Sequence, residues 1–272
     1  MKEIFTKIHG QKIRYIASSS SDDQFAILFI HGLGSSADRW MDLPEALSSY
    51  FWTCALDLMG FGKSDKPQNF GYDIAAFVEL IREFMHVVGI DKKKIILVGH
   101  SLGGYIACEF VIKYPFLMHR LILVDSSGTL QSPTPLLKEY LDLAMNPTPD
   151  KAMSVFRKMA VNPIFASPFI AEIFIRYISN AEAKNAFKLT LENSANTQIG
   201  LERLQKIRVP TLIIWGSEDK VIPIQHALIF HRQILGSQLQ KITNTGHAPY
   251  VEKPSVVFDL IKKFLTRDYM TG

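Results

Sequence analysis

The chain has 272 residues, 47% of them hydrophobic, and a formal net charge of +4 from 30 basic and 26 acidic side chains. That length and apolar content fill one large domain, or a domain carrying an insertion, and exclude a disordered chain. The charges are scattered, so no basic patch points to nucleic acid or to an anionic membrane.

The chain begins Met1, Lys2, Glu3, Ile4, Phe5, Thr6, Lys7, which mixes charge with apolar residues and lacks the continuous apolar core of a signal peptide. No later apolar run reaches membrane-spanning length, so a soluble cytoplasmic protein is expected. Short β-rich runs predict strands at Ile13–Ala17, Phe25–Ile30, Thr53–Leu58, Ile95–Val98, Leu121–Val124 and Thr211–Trp215. Most are apolar without alternation, as in strands covered on both faces.

Helical patterns lie between them at Tyr72–Val88 and Leu102–Tyr114, with another at Ser255–Phe264 near the end. Strands alternating with helices predict an α/β fold around a mostly parallel sheet. From Gly128 to Arg208 the grammar changes to Pro-punctuated amphipathic segments. Helices are expected at Leu136–Ala144, Lys151–Met159, Pro168–Ile178 after a Ser167 cap, and Ala181–Glu192 after Asn180. The expected division is therefore a core of residues 1–127 and 208–272 with a helical insertion at 128–207. Cys54 and Cys108 sit in apolar stretches without histidines at zinc-ligand spacing and read as reduced core residues. Neither a metal nor a cofactor is expected.

The run Gly99, His100, Ser101, Leu102, Gly103 matches Gly-x-Ser-x-Gly, which chance produces in roughly one chain in ten of this length. Its context is more specific, because the run follows a strand and opens a helix. A tight strand-to-helix turn projects the Ser101 hydroxyl, and the close approach of strand and helix needs small residues at Gly99 and Gly103, with Gly104 adding clearance. No Lys-Ser or Lys-Thr pair follows, so a phosphate-binding loop is disfavoured.

A serine hydroxyl needs a histidine base, itself oriented by a carboxylate. His247, in the turn-rich stretch Asn244 to Pro249, is the expected base. His31 is expected to order its own loop, and His100 to point away from substrate. Asp219, after the strand ending at Trp215, is the expected acid, with Asp125 as competitor and Glu218 as a weaker one. The oxyanion donors are expected to be the backbone N–H groups of Leu102 and Leu33, with Gly34 as the alternative to Leu33.

At this point the chain resembles the α/β-hydrolase superfamily over essentially its whole length. The resemblance rests on His31-Gly32-Leu33-Gly34, the run Asp57 to Ser64 containing Gly60 and Gly62, Gly99 to Gly104, Trp215 to Asp219, and Gly246-His247. It implies Ser101 as nucleophile, Asp219 as acid, His247 as base and the Leu33 and Leu102 amides as the oxyanion hole. It also implies that Asp57–Ser64 is structural and that the helical insertion is a variable cap. Serine at position 101 disfavours the dehalogenase and epoxide-hydrolase branches, which carry aspartate there. The expected activity is hydrolysis of a small-molecule carboxylic ester with a small or medium apolar acyl group, by a monomer or homodimer. Met145, Met153, Phe156, Met159, Phe165, Phe169, Phe174 and Phe187 are candidate pocket residues. A carbon–carbon hydrolase using the same triad and a slow-turnover binding member remain alternatives.

Overall fold

Eight strands pair into one sheet in the computed structural model of the chain, which describes residues 1–19, 24–40, 42–194 and 197–266. They are β1 (Lys2–Ile8), β2 (Gln11–Ala17), β3 (Phe25–Ile30), β4 (Trp52–Leu56), β5 (Lys94–His100), β6 (Met118–Val124), β7 (Thr211–Gly216) and β8 (Gln238–Ile242). The order across the sheet is β1-β2-β4-β3-β5-β6-β7-β8. β2 is antiparallel to both β1 and β4, and the other neighbouring pairs are parallel.

The helices are α1 (Leu43–Leu47), α2 (Ile74–Val87), α3 (Leu102–Lys113), α4 (Pro135–Met145), α5 (Pro149–Met159), α6 (Pro168–Ser179), α7 (Ala181–Ser194), α8 (Leu201–Leu204), α9 (Gln225–Gln233), α10 (Pro249–Glu252) and α11 (Pro254–Thr266). Two hydrophobic cores explain the non-alternating strands. Leu28, Leu97 and Leu123 face one core with α2 and α3, while Ile27, Phe29, Val98 and Ile122 face the other with α1 and α11. α2 buries Ile74, Phe77, Val78, Ile81, Phe84 and Met85 at helical spacing. It starts at Ile74 rather than Tyr72, because the Asp73 side chain caps it by accepting the Ala76 N–H.

The two edge strands β1 and β8 lack a clear sequence signal for a physical reason. β1 alternates with mostly exposed positions and is held by seven pairings with β2 around the left-handed residues His9 and Gly10. β8 buries only Ile242 fully. β4 ends at Leu56, two residues short of the predicted strand. There Asp57 turns inward, and its carboxylate accepts the Ala37 and Lys63 N–H groups at 2.6 and 2.8 Å beside the buried Arg14.

Between β6 and β7 the chain forms α4 to α8. Thr134, Thr148 and Ser167 each cap the following helix by accepting a backbone N–H, and each is followed by proline. Side chains from α4 to α7 share a cavity of about 480 Å³ with loops following β3, β5 and β6 and with the His247 loop. Among the described residues no helix is long and apolar enough to cross a membrane.

Candidate active site

The turn from β5 into α3 is strained at its centre. Ser101 has φ +53°, a left-handed conformation rare outside glycine, and such strain costs roughly 1–3 kcal/mol. The surroundings impose it: the Ser101 N–H donates to the Val124 carbonyl at 3.1 Å, and its own carbonyl accepts the Ser127 N–H at 3.0 Å. A Cβ at Gly103 would strike the Ile30 carbonyl oxygen, and one at Gly99 would strike the backbone of Gly103. The strand and helix therefore meet as closely as the pentapeptide requires, and Ser101 faces the cavity.

His247 lines the same cavity, and its Nδ1 lies 2.7 Å from Asp219 Oδ2. The carboxylate places the ring proton on Nδ1 and leaves Nε2 as the acceptor in the neutral ring. The other oxygen of Asp219 accepts the Val221 and Ile222 N–H groups at 2.8 and 2.9 Å, which fixes its orientation. The backbone of His247 is also held from both sides. Its N–H donates to the Met159 carbonyl at 2.9 Å, and its carbonyl accepts from His100 Nε2 at 2.7 Å.

The competing carboxylates do not hold His247. Asp125 is fully buried, its Oδ1 accepts the Gly216 N–H at 2.9 Å, and its Oδ2 has no hydrogen-bond partner among the described residues. Burial first, and then the charge of Asp219, push its carboxyl well above the ordinary carboxylate range, which favours its neutral form. Glu218 is exposed, and among the described residues its carboxylate meets only the Ser217 hydroxyl.

Leu33 and Leu102 both border the cavity beside Ser101. Neither amide donates to a protein acceptor among the described residues, which leaves both N–H groups open to a ligand. The Tyr140 hydroxyl, reaching down from α4, donates to the Leu33 carbonyl at 3.0 Å and orients that peptide. Leu102 begins the 12-residue α3, where the helix dipole favours negative charge. Gly34 borders the cavity too.

His31 orders its loop as expected: Nδ1 donates to the Gly32 carbonyl at 2.8 Å and Nε2 accepts the Leu58 N–H at 3.0 Å. Its burial lowers its pKa. His100 does more than point aside, since it carries the His247 carbonyl and meets the Tyr250 hydroxyl at 3.3 Å. Burial, and then the neighbouring His247, drive its pKa well below the usual value, so it is neutral. Glu252 carries no sequence signal at all. Its carboxylate accepts the Gly246, Val161 and Asn162 N–H groups at 2.6, 2.9 and 3.1 Å, which ties the His247 loop to the chain beyond α5.

The expected pocket residues divide. Phe156, Met159 and Phe174 line the cavity. Met145 and Met153 pack on the core, Phe187 is fully buried, and Phe169 is 69% exposed. The Phe165 side chain lies outside the described residues. Cys54 and Cys108 are free and buried, and burial raises both thiol pKa values.

The chain belongs to the α/β hydrolase family, whose fold model, described as "alpha/beta hydrolase fold", matches residues 26–254. An uncharacterized protein of Mycobacterium tuberculosis is 29% identical, over 96% of this chain and 80% of its own length. Lipase 3 of a Moraxella species is 28% identical, over 91% of this chain and 79% of that protein. The solved meta-cleavage product hydrolase of Pseudomonas fluorescens superposes with a TM-score of 0.85 over 98% of both chains at 23% identity, a likeness of fold.

Proposed function

We propose that the chain hydrolyses small-molecule carboxylic esters with small to medium apolar acyl groups, through an acyl-enzyme on Ser101. The observation that supports this most is the fixed Asp219–His247 pair, whose ring borders the same cavity as the strained Ser101. In the first step His247 Nε2 takes the Ser101 proton as Oγ attacks the ester carbonyl. The negative oxygen of the tetrahedral intermediate is held by the Leu33 and Leu102 N–H groups. Collapse breaks the bond to the alcohol oxygen, which leaves with the proton from His247. Water, deprotonated by the same nitrogen, then attacks the acyl-serine, and collapse breaks the bond to Ser101 Oγ, which takes the proton back from His247 as the acid is released. Residues 128–207 act as a cap over the core formed by 1–127 and 208–272, and the Phe156, Met159 and Phe174 side chains bound the apolar space.

Fluorophosphonate labelling tests the reading. The wild-type chain should label and cleave p-nitrophenyl esters, whereas Ser101→Ala should do neither while remaining folded by circular dichroism. Full labelling of Ser101→Ala would overturn the assignment. A vinylogous diketone assayed beside the esters separates ester from carbon–carbon cleavage, and a kcat well above about 1 s⁻¹ on an ester counts against a slow binding member.

A further inference from the structure

The cavity wall is mostly apolar, with Leu130, Leu137, Phe156 and Phe174 among its side chains. One lysine or arginine borders it among the described residues, Arg39, in the single helical turn Ala37–Trp40 that follows the Leu33–Gly34 loop. The next residue, Trp40, is fully buried against Tyr250 at a ring separation of 4.4 Å, which anchors this turn beside the His247 loop. The charge of Arg39 bears on His100, Tyr140 and Tyr250, three side chains around Ser101 and the Leu33 peptide.

Among the described residues Arg39 has no carboxylate partner inside the cavity. Asp38 and Glu252 are the acids that border it there, and both are engaged elsewhere. Asp38 receives two hydrogen bonds from Arg14, at 3.0 and 2.7 Å. Glu252 is occupied by three backbone N–H groups. Among the described residues the half-buried Arg39 guanidinium makes no ion pair, and the side chain it meets is a neutral one, the Tyr250 hydroxyl. A guanidinium stays charged at any working pH, and a charge in an apolar wall is costly unless something pairs with it.

We infer that Arg39 forms an anion subsite, so that the preferred ester carries a second, negatively charged group, a carboxylate or a phosphate, away from the scissile carbonyl. The inference rests on the ester-hydrolase reading and adds a substrate class to it. Arginine suits the task because its planar fork meets either oxyanion through two parallel hydrogen bonds. The apolar wall takes the chain of the substrate, and one charged contact sets which end of the molecule lies where.

Paired esters test it. One arm compares mono-p-nitrophenyl adipate with p-nitrophenyl hexanoate, an acyl-side carboxylate against its neutral twin. The other compares monobutyryl-glycerol phosphate with monobutyryl-glycerol, an alcohol-side phosphate against its neutral twin. In at least one arm the wild-type chain should favour the anion in kcat/KM by about tenfold or more, the scale of one charge-assisted pair. Arg39→Gln should reduce that anion-to-neutral ratio to about one, Arg39→Lys should retain part of it, and high salt should shrink it. A ratio near or below one in both arms, or an unchanged ratio in Arg39→Gln, would overturn the subsite. Should Arg39→Gln fail to fold, Arg39→Lys and the salt series still decide. The two readings fail separately: no labelling and no turnover on any ester removes the hydrolase reading. Calorimetric binding of monomethyl adipate against methyl hexanoate to Ser101→Ala still measures anion preference without turnover.

Discussion

The rim of the sheet and the helices above it are built in contrasting ways. At the rim, polar atoms are committed in pairs: Asp219 accepts from two amides and meets His247, and His247 is held by its ring, its N–H and its carbonyl. Above it, α5, α6 and the chain between them offer apolar contacts and leave Ile164 71%, Phe169 69% and Ile173 52% exposed. Proton transfer needs atoms in fixed directions, which few residue types supply. Enclosing an apolar chain needs only volume, which many residues supply equally well. The first region therefore carries a motif and the second does not.

The largest expected effect breaks the rim itself. Asp219→Asn should lower kcat on a p-nitrophenyl ester by about 10³- to 10⁴-fold, since the histidine loses its tautomer and its counter-charge, while Asp125→Asn should stay within about tenfold. The reverse ranking would move the acid to the end of β6. A smaller effect tests the joint between the regions: Glu252→Ala leaves three amides unpaired and frees the His247 loop from the chain beyond α5. A loss of about 1–3 kcal/mol in urea denaturation and a kcat lower by about tenfold are expected. Unchanged kcat with lowered stability would show that the tether serves the fold alone.

The last effect, on stability rather than on rate, concerns the buried carboxyl beneath the rim. Asp125 holds its proton to higher pH in the folded chain than in the unfolded chain, where it is lost above the ordinary value of 3.8. The folded state thus binds more protons, and stability falls as pH rises from that value through the raised folded pKa. Asp125→Asn removes this dependence, so it should gain on the wild type by about 1.4 kcal/mol per pH unit in that window. Urea midpoints measured across mildly acidic to neutral pH check it, and parallel curves for the two proteins would refute it.

The six inner strands were legible because burial on both faces demands runs such as Phe25–Ile30 and Leu121–Val124. The edge strands were not, since half of each faces water and their register comes from pairing. Strand-end position and chain order singled out Ser101, Asp219 and His247, and the structure brings the latter two within a hydrogen bond. The supports of the site were hidden for a different reason. His100 reaches a carbonyl 147 positions away, and Glu252 binds backbone amides, which look alike at every residue. Arg39 stands out only once its neighbours are known to be already paired.

β6 and β7 are neighbours in the sheet although α4 to α8 lie between them in sequence. Closing a longer loop costs only about 0.6 kcal/mol for each doubling of its length, so strand pairing hardly registers how much chain is inserted there. Segments of other lengths could therefore stand between β6 and β7 at little cost to their pairing.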